Sequence, residues 1–103
     1  MNASSIECLI PEADQLSFNF VLNEVQAAQI FLQLYDTEIS EPPDEQGAAL
    51  SLWNAGLALD IARRFLPRLD GDARARMDLQ LVELETALKE REAGYASIQS
   101  AGN

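Results

Sequence analysis

Three stretches of this chain place apolar residues at helical spacing, and this periodicity constrains the fold more than any other feature. Apolar residues recur every three or four positions near residues 12 to 38, 44 to 67 and 72 to 96, which is the spacing of amphipathic helices. No stretch shows the alternation with period two that a half-buried strand requires. The sequence therefore predicts an all-α fold.

The limits of these helices carry recognisable start and stop signals. Pro43 fits the first position of the second helix, where its fixed backbone angle is tolerated. Asp70 or Asp72 is the candidate N-cap of the third helix. Pro67 and Gly71 mark the break between the second and third helices. We therefore expect three separate helices and not one long rod.

The chain length suits one small domain with one core. Its 103 residues are enough to bury a core without a metal or a disulfide. We predict a flexible N-terminal arm over 1–10, a single helical-bundle domain over 11–98 and a disordered tail over 99–103. The expected architecture is a three-helix up-down-up bundle.

The first two predicted helices carry apolar residues on two sides. The first helix has one stripe through Phe18, Val21, Val25, Ala28, Leu32, Tyr35 and Ile39, and another through Leu16, Phe20, Ala27, Phe31 and Leu34. The second has Leu52, Ala55, Leu59, Ala62, Leu66 and Leu69 nearly opposite Leu50, Trp53, Leu57, Ile61 and Phe65. A helix in a free three-helix bundle needs one apolar side. We therefore expect the chain to form a homodimer through its first two helices.

Trp53 has two interpretations. Asn54, Ala55 and Gly56 follow it and would let another helix approach closely, so Trp53 could be a core residue over a helix crossing. Alternatively, Trp53 anchors a partner chain together with Leu57 and Phe65, since aromatic anchors dominate the energetics of interfaces. We assign Trp53 and Leu57 to partner binding.

The charge of the chain is strongly acidic and unevenly distributed. The net charge is −10, and the first 62 residues contain ten acids and neither Lys nor Arg. Direct binding of nucleic acid needs a basic surface and is therefore disfavoured. A basic protein surface is the expected partner.

The segment DTEISEPPDEQ, residues 36 to 46, concentrates this charge. Its carboxylates are Asp36, Glu38, Glu41, Asp44 and Glu45. They lack the glycine turn and ligand spacing of a calcium loop, and the chain has no His and only one Cys for a transition metal. A solvated loop, a weak cation site and a partner-binding surface are the three interpretations. We assign the five carboxylates to partner binding, with no metal and no cofactor.

Arg74 and Arg76 run against the local electrostatics, because they lie in the first turns of the third helix near its positive end. Asp36 and Glu38 lie near the negative end of the first helix. Lys89 and Arg91 can come nearer the acidic segment, but Glu90 and Glu92 cancel their charge. We predict instead that Arg74 and Arg76 are dimer contacts, which meet the acidic segment of a second, antiparallel subunit across a two-fold axis.

Several classes of function lack the residues they need. Without His, the chain cannot assemble a Ser/His or Cys/His nucleophile pair, and we expect no enzyme. A single cysteine, the absence of a leader-like N-terminus and apolar stretches too short to cross a bilayer predict a cytoplasmic protein without membrane contact.

The sequence thus favours a non-enzymatic, acidic, helical protein-binding module of the inhibitor, chaperone or adaptor type that acts on a basic partner surface. The alternative is a nucleic-acid mimic, whose carboxylates imitate phosphates and block a DNA- or RNA-binding groove. A phage-encoded inhibitor of a defence nuclease would be one example.

Overall fold

The computed structural model of the chain describes residues 12–40 and 42–101, which form three α-helices and no strand. The helices are α1 (Glu12–Glu38), α2 (Glu45–Phe65) and α3 (Gly71–Ala101), with a 3-10 turn (Leu66–Arg68) after α2. The prediction of an all-helical fold is confirmed for this part of the chain. α1 and α2 make the most extensive contact, and α3 packs against both.

α3 continues further than the sequence indicated. The helix runs through Ala101, whereas the disordered tail was predicted to begin at residue 99. Gly94 costs a helix interior about 1 kcal/mol relative to Ala, which does not end a helix of this length. The side-chain amide of Gln99 donates to the Tyr95 hydroxyl at 2.9 Å. The predicted N-terminal arm, 1–10, lies outside the described residues.

α2 begins with an aspartate cap. Asp44 has extended backbone angles (φ −113°, ψ 90°), and its side chain accepts a hydrogen bond from the Gly47 N–H at 3.0 Å. Such a cap is worth about 1 kcal/mol, because it satisfies a backbone donor that the first turn leaves without a partner. Pro43 therefore precedes the cap and stands two positions before Glu45, the first helical residue, where the sequence had placed the proline.

The connection between α2 and α3 confirms the predicted break. Pro67 lies in the 3-10 turn, and Leu69 is extended with its side chain buried. Gly71 has a φ of +55°, a left-handed conformation that glycine adopts without a steric penalty. The Asp70 carbonyl accepts from the Arg74 N–H at 3.4 Å, so Asp70 rather than Asp72 occupies the position before the helix.

The core is a single apolar cluster to which all three helices contribute. Its buried members are Val21, Val25, Ala28, Leu32, Tyr35, Ala48, Leu52, Ala55, Ala58, Leu59, Ala62, Leu66, Leu69, Met77, Leu81 and Leu88. On α2 many of the buried residues are small, four of them being alanines and one Ser51. Small side chains let the backbones of α1 and α2 come close together.

The hydropathy of the helices also bears on membrane insertion. Within the described part of the chain, no helix combines the length and the apolar character that crossing a membrane demands.

Candidate protein-binding surface

Asp36, the first carboxylate of the acidic segment, is paired inside the chain. The Arg91 Nε and Nη2 atoms donate to the two Asp36 carboxylate oxygens at 2.9 and 2.8 Å. The Tyr35 hydroxyl donates to the Arg91 carbonyl at 3.3 Å. The hydrogen bonds to Asp36 raise the pKa of the Arg91 guanidinium. Arg91 therefore pairs with the acidic segment, although Glu90 and Glu92 were expected to cancel its charge.

Two further carboxylates of the segment hold the α1–α2 connection together. The Ser51 hydroxyl donates to Glu38 Oε1 at 2.5 Å, and the Asp44 N–H donates to the Glu38 carbonyl at 2.6 Å. Asp44 also caps α2. Glu45 is exposed in the first turn of α2, and Glu41 lies outside the described residues. Three of the five predicted partner-binding carboxylates thus make contacts within their own chain.

Two tyrosines attach the C-terminal half of α3 to this end of the molecule. The Tyr35 and Tyr95 rings meet edge to face, with centroids 6.4 Å apart. The Tyr95 hydroxyl donates to the Glu45 carbonyl at 3.3 Å. Burial, and secondly the charge of Asp36, raise the pKa of Tyr35 above its ordinary value. Much of the acidic segment therefore serves the fold.

A second ion-pair cluster joins the C-terminal end of α2 to α3. Arg63 donates to Asp78 at 2.5 Å and to both carboxylate oxygens of Glu85 at 2.6 and 3.2 Å. These hydrogen bonds raise the pKa of the Arg63 guanidinium. The next residue, Arg64, is exposed and makes no ion pair among the described residues. Neighbouring arginines therefore face α3 and solvent respectively.

The described residues offer little to a cation. No group of three or more His, Cys, Asp or Glu residues is arranged to hold a metal ion in this part of the chain. Asp36 contacts α3 and Glu38 contacts α2, so these two side chains diverge and do not converge on one point.

The most unusual surface is apolar. Large side chains are exposed along α1 and α2, and we define the apolar face as the group Leu16, Phe20, Leu34, Leu50, Trp53 and Leu57. Trp53 is 67% exposed, which is far more than the exposure of a side chain in a packed core. The interpretation of Trp53 as a core residue is therefore wrong, and its assignment to partner binding stays a prediction.

The α1 part of this face lies beside α2 and away from α3. The Phe20 ring contacts Phe65 of α2, with centroids 4.7 Å apart. Phe18 and Leu22 instead line a groove with Met77 of α3. Residues two apart on a helix point in nearly opposite directions, which agrees with Phe20 facing the other way from α3.

The α2 part of the face also points away from the core. Leu57 is 45% exposed, whereas Leu59, two residues along, is 2% exposed. Arg63 marks the side of α2 that faces α3, because it binds Asp78 and Glu85. Of the second apolar side predicted for α2, Leu50, Trp53 and Leu57 are exposed in the single chain, whereas Ile61 and Phe65 are half-buried.

Arg74 and Arg76, the predicted dimer contacts, lie on different sides of α3. Arg74 lines a groove of about 420 Å³ with Arg63 and Asp78 of the ion-pair cluster. Arg76 lines the groove of about 600 Å³ that includes Phe18 and Leu22 of α1. The structure does not bring the two arginines into one basic patch, and their role in a dimer stays a prediction.

Sequence reasoning missed the bond between Ser51 and Glu38 and the pairing of Arg63 with Asp78 and Glu85. A signal for the pairing of Arg63 existed, because Asp78 and Glu85 are seven residues apart and share one side of a helix.

The chain was also compared with known proteins. No family model, no curated protein and no solved structure matches it.

Proposed function

We propose that this chain is a non-enzymatic protein-binding module and that the apolar face is its binding surface. The observation that carries the proposal is the exposure of six large apolar side chains along α1 and α2, with Trp53 among them. Soluble chains rarely leave a contiguous apolar patch uncovered unless it is a site of interaction. A tryptophan within such a patch is the residue type that most often anchors an interface.

The charge around the apolar face favours a partner with a basic rim. No Lys or Arg occurs before Arg63, and Asp60 and Glu45 are exposed on α2. Charged rims steer association and set specificity more than they supply affinity. The proposal therefore gives the apolar side chains the affinity and the acids the choice of partner.

The proposal includes an up-down-up order of the three helices, a homodimer formed through α1 and α2, and a cytoplasmic location. The contacts of Phe20 with Phe65 and of Glu38 with Ser51 support an antiparallel order of α1 and α2. The exposed apolar side chains on both helices support association through this pair.

The alternative of a nucleic-acid mimic loses support. A mimic needs spaced carboxylates that are free to replace phosphates. Asp36, Glu38 and Asp44 are hydrogen-bonded inside the chain. A protein groove that binds nucleic acid is polar and basic, so a large apolar surface would serve no purpose there.

Site-specific photo-cross-linking tests the proposal. Trp53 is replaced by benzoylphenylalanine, and the protein is irradiated in a lysate of the cells that produce it. We expect a covalent protein adduct, either with a second copy or with a different chain. The matched control carries the same group at Glu83, which is exposed on α3. Equal yields at the two positions, or no adduct with protein at position 53, would overturn the proposal.

A further inference from the structure

The exposed side of α2 has a symmetric pattern. Its residues are Gln46, Leu50, Trp53, Leu57, Asp60 and Arg64, and all six are exposed. Their spacing is four, three, four, three and four, which reads the same in both directions about Ala55. The alternation of four and three is that of a coiled-coil seam. We call these six residues the α2 seam.

A symmetric spacing has a direct consequence for two antiparallel copies. When two such helices lie antiparallel, residues at equal distances from the centre face each other. Trp53 then meets Leu57 of the second copy, and Gln46 meets Arg64 of the second copy. Each contact occurs twice, as a two-fold axis requires.

We propose that a second copy of this chain covers the apolar face, with the two α2 helices antiparallel about a two-fold axis at Ala55. This inference rests on the proposed function and names the occupant of its binding surface. The exposed Arg64 and Arg68 of the second copy supply the basic part of the partner's rim. Phe20 and Leu34 of α1, which are also exposed, flank the seam and extend the contact.

The charges at the two ends of α2 select this orientation. The end with the acidic segment carries Asp44 and Glu45 at the start of α2, and its one described arginine, Arg91, is paired with Asp36. Arg64 and Arg68 lie exposed at the other end. Stacking like ends would set two acidic segments against each other, and like charges destabilise a contact. The antiparallel arrangement instead places Arg64 over the acidic end.

Asp70 and Asp72, around the start of α3, also lie at the end with Arg64 and Arg68. The comparison between orientations is therefore between acid against acid and acid against an end of mixed charge with two exposed arginines. The antiparallel orientation is favoured.

The size of the face suits a modest dimer. α2 has 21 residues and is about 30 Å long at 1.5 Å per residue. Two neighbouring helices are roughly 20 Å wide at a spacing of about 10 Å. The footprint is therefore about 600 Å² per copy and about 1,200 Å² in total, at the lower end of specific interfaces. Asp60 opposite Leu50 weakens the seam, so a micromolar dimer is expected.

Sedimentation velocity and the fluorescence of Trp53, the single tryptophan of the chain, test the inference. From about 1 to about 200 µM protein, which brackets a micromolar dissociation constant, the sedimentation coefficient should rise. Trp53 emission should shift to shorter wavelengths, and quenching by acrylamide should decrease, because the second copy covers the ring.

Charge variants test the register. Arg64→Glu should weaken the dimer roughly three- to tenfold, since each exposed pair is weak and occurs twice. Adding Gln46→Arg to the same chain should restore it, because the new arginine faces the new glutamate of the second copy. Arg74→Glu is the matched control: it makes the same change of charge in a groove beside α3 and should leave the dimer unchanged.

The remaining outcomes separate the two proposals. If Arg74→Glu weakens the dimer and Arg64→Glu does not, the register about Ala55 is wrong. If the chain stays monomeric at about 200 µM while position 53 cross-links a different protein, the second copy is ruled out and the protein-binding function stands. If position 53 also cross-links no protein, both proposals fall.

Discussion

The two sides of α2 differ in a way that a single folded chain does not explain. The buried side is lined by Ala48, Ser51, Ala55, Ala58 and Ala62, with only two leucines. The exposed side carries Leu50, Trp53 and Leu57. Burial alone would favour the opposite arrangement, with the large apolar residues inside. The small side suits close helix packing, and the large side is the one for which we propose a contact with another surface.

The energetic scale supports this proposal. Full burial of a large apolar side chain stabilises a structure by about 1.5 to 3 kcal/mol. Leu50 and Trp53 are 60% and 67% exposed, so most of this contribution is absent from the single chain. It becomes available only when another surface covers them.

The sharpest test of the comparison uses two leucines two residues apart. Leu59→Ala should cost about 2 to 5 kcal/mol in the free energy of unfolding, because it opens a cavity in the core. Leu57→Ala should cost less than about 0.5 kcal/mol in the monomer, since exposed changes are usually that small. Urea unfolding at low protein concentration measures both. Equal costs would show that the outward side is buried within one chain.

The next largest effect concerns association. Trp53→Ala should weaken the dimer by about 2 kcal/mol, or roughly thirtyfold, which is the range of an interface anchor. Its unfolding free energy, measured on the monomer, should hardly change. Sedimentation equilibrium gives the dimer constant, and Leu79→Ala on the exposed side of α3 serves as control. A Trp53→Ala chain that unfolds much more easily but associates normally would assign Trp53 to the core.

The adjacent arginines at the end of α2 extend the comparison to charge. Arg63→Gln should lower the unfolding free energy by up to about 1 kcal/mol, because it removes two partly exposed ion pairs to α3. Arg64→Gln should leave it nearly unchanged and affect only the dimer. Thermal unfolding in low and in high salt checks both, and the Arg63 effect should shrink as salt screens the charges.

The smallest expected effect is seen at alkaline pH. The pKa of Tyr35 is raised above 10.0 in the folded chain, mainly by burial. The folded state therefore keeps the Tyr35 proton to a higher pH than the unfolded state does. The free energy of unfolding is unaffected below pH 10 and declines as the pH rises beyond it. In the Tyr95→Phe variant, Tyr35 is the tyrosine that remains. Its tyrosinate absorbance should appear at a higher pH in the folded protein than in the protein unfolded by urea. Coincident titrations would contradict the burial of Tyr35.

Periodicity predicted the helices well because it reports which side of a helix is apolar. It could not distinguish a side covered by the same chain from one left open, since both produce the same spacing. Trp53 illustrates this ambiguity: its small neighbours at Ala55 and Gly56 favoured a core position, and the structure places those neighbours inward and the indole outward.

The ion pairs show a different limit. Asp36 and Arg91 are 55 residues apart in the chain, and only the packing of α3 brings them together. The acids on either side of Arg91 suggested cancellation, but adjacent residues on a helix do not share a side. The two-position error at Pro43 has a local cause, because Asp44 offers a side-chain acceptor to the first turn and Pro43 does not.

The 3-10 turn between α2 and α3 also determines where the folded chain can be cut. Among the described residues it holds the one basic residue outside an α-helix, Arg68, which is followed by extended backbone at Leu69. An arginine-specific protease needs extended chain, yet the Leu69 side chain is only 3% exposed. Cleavage after Arg68 therefore requires the turn to leave the core, and the rate of cleavage reports how often it opens.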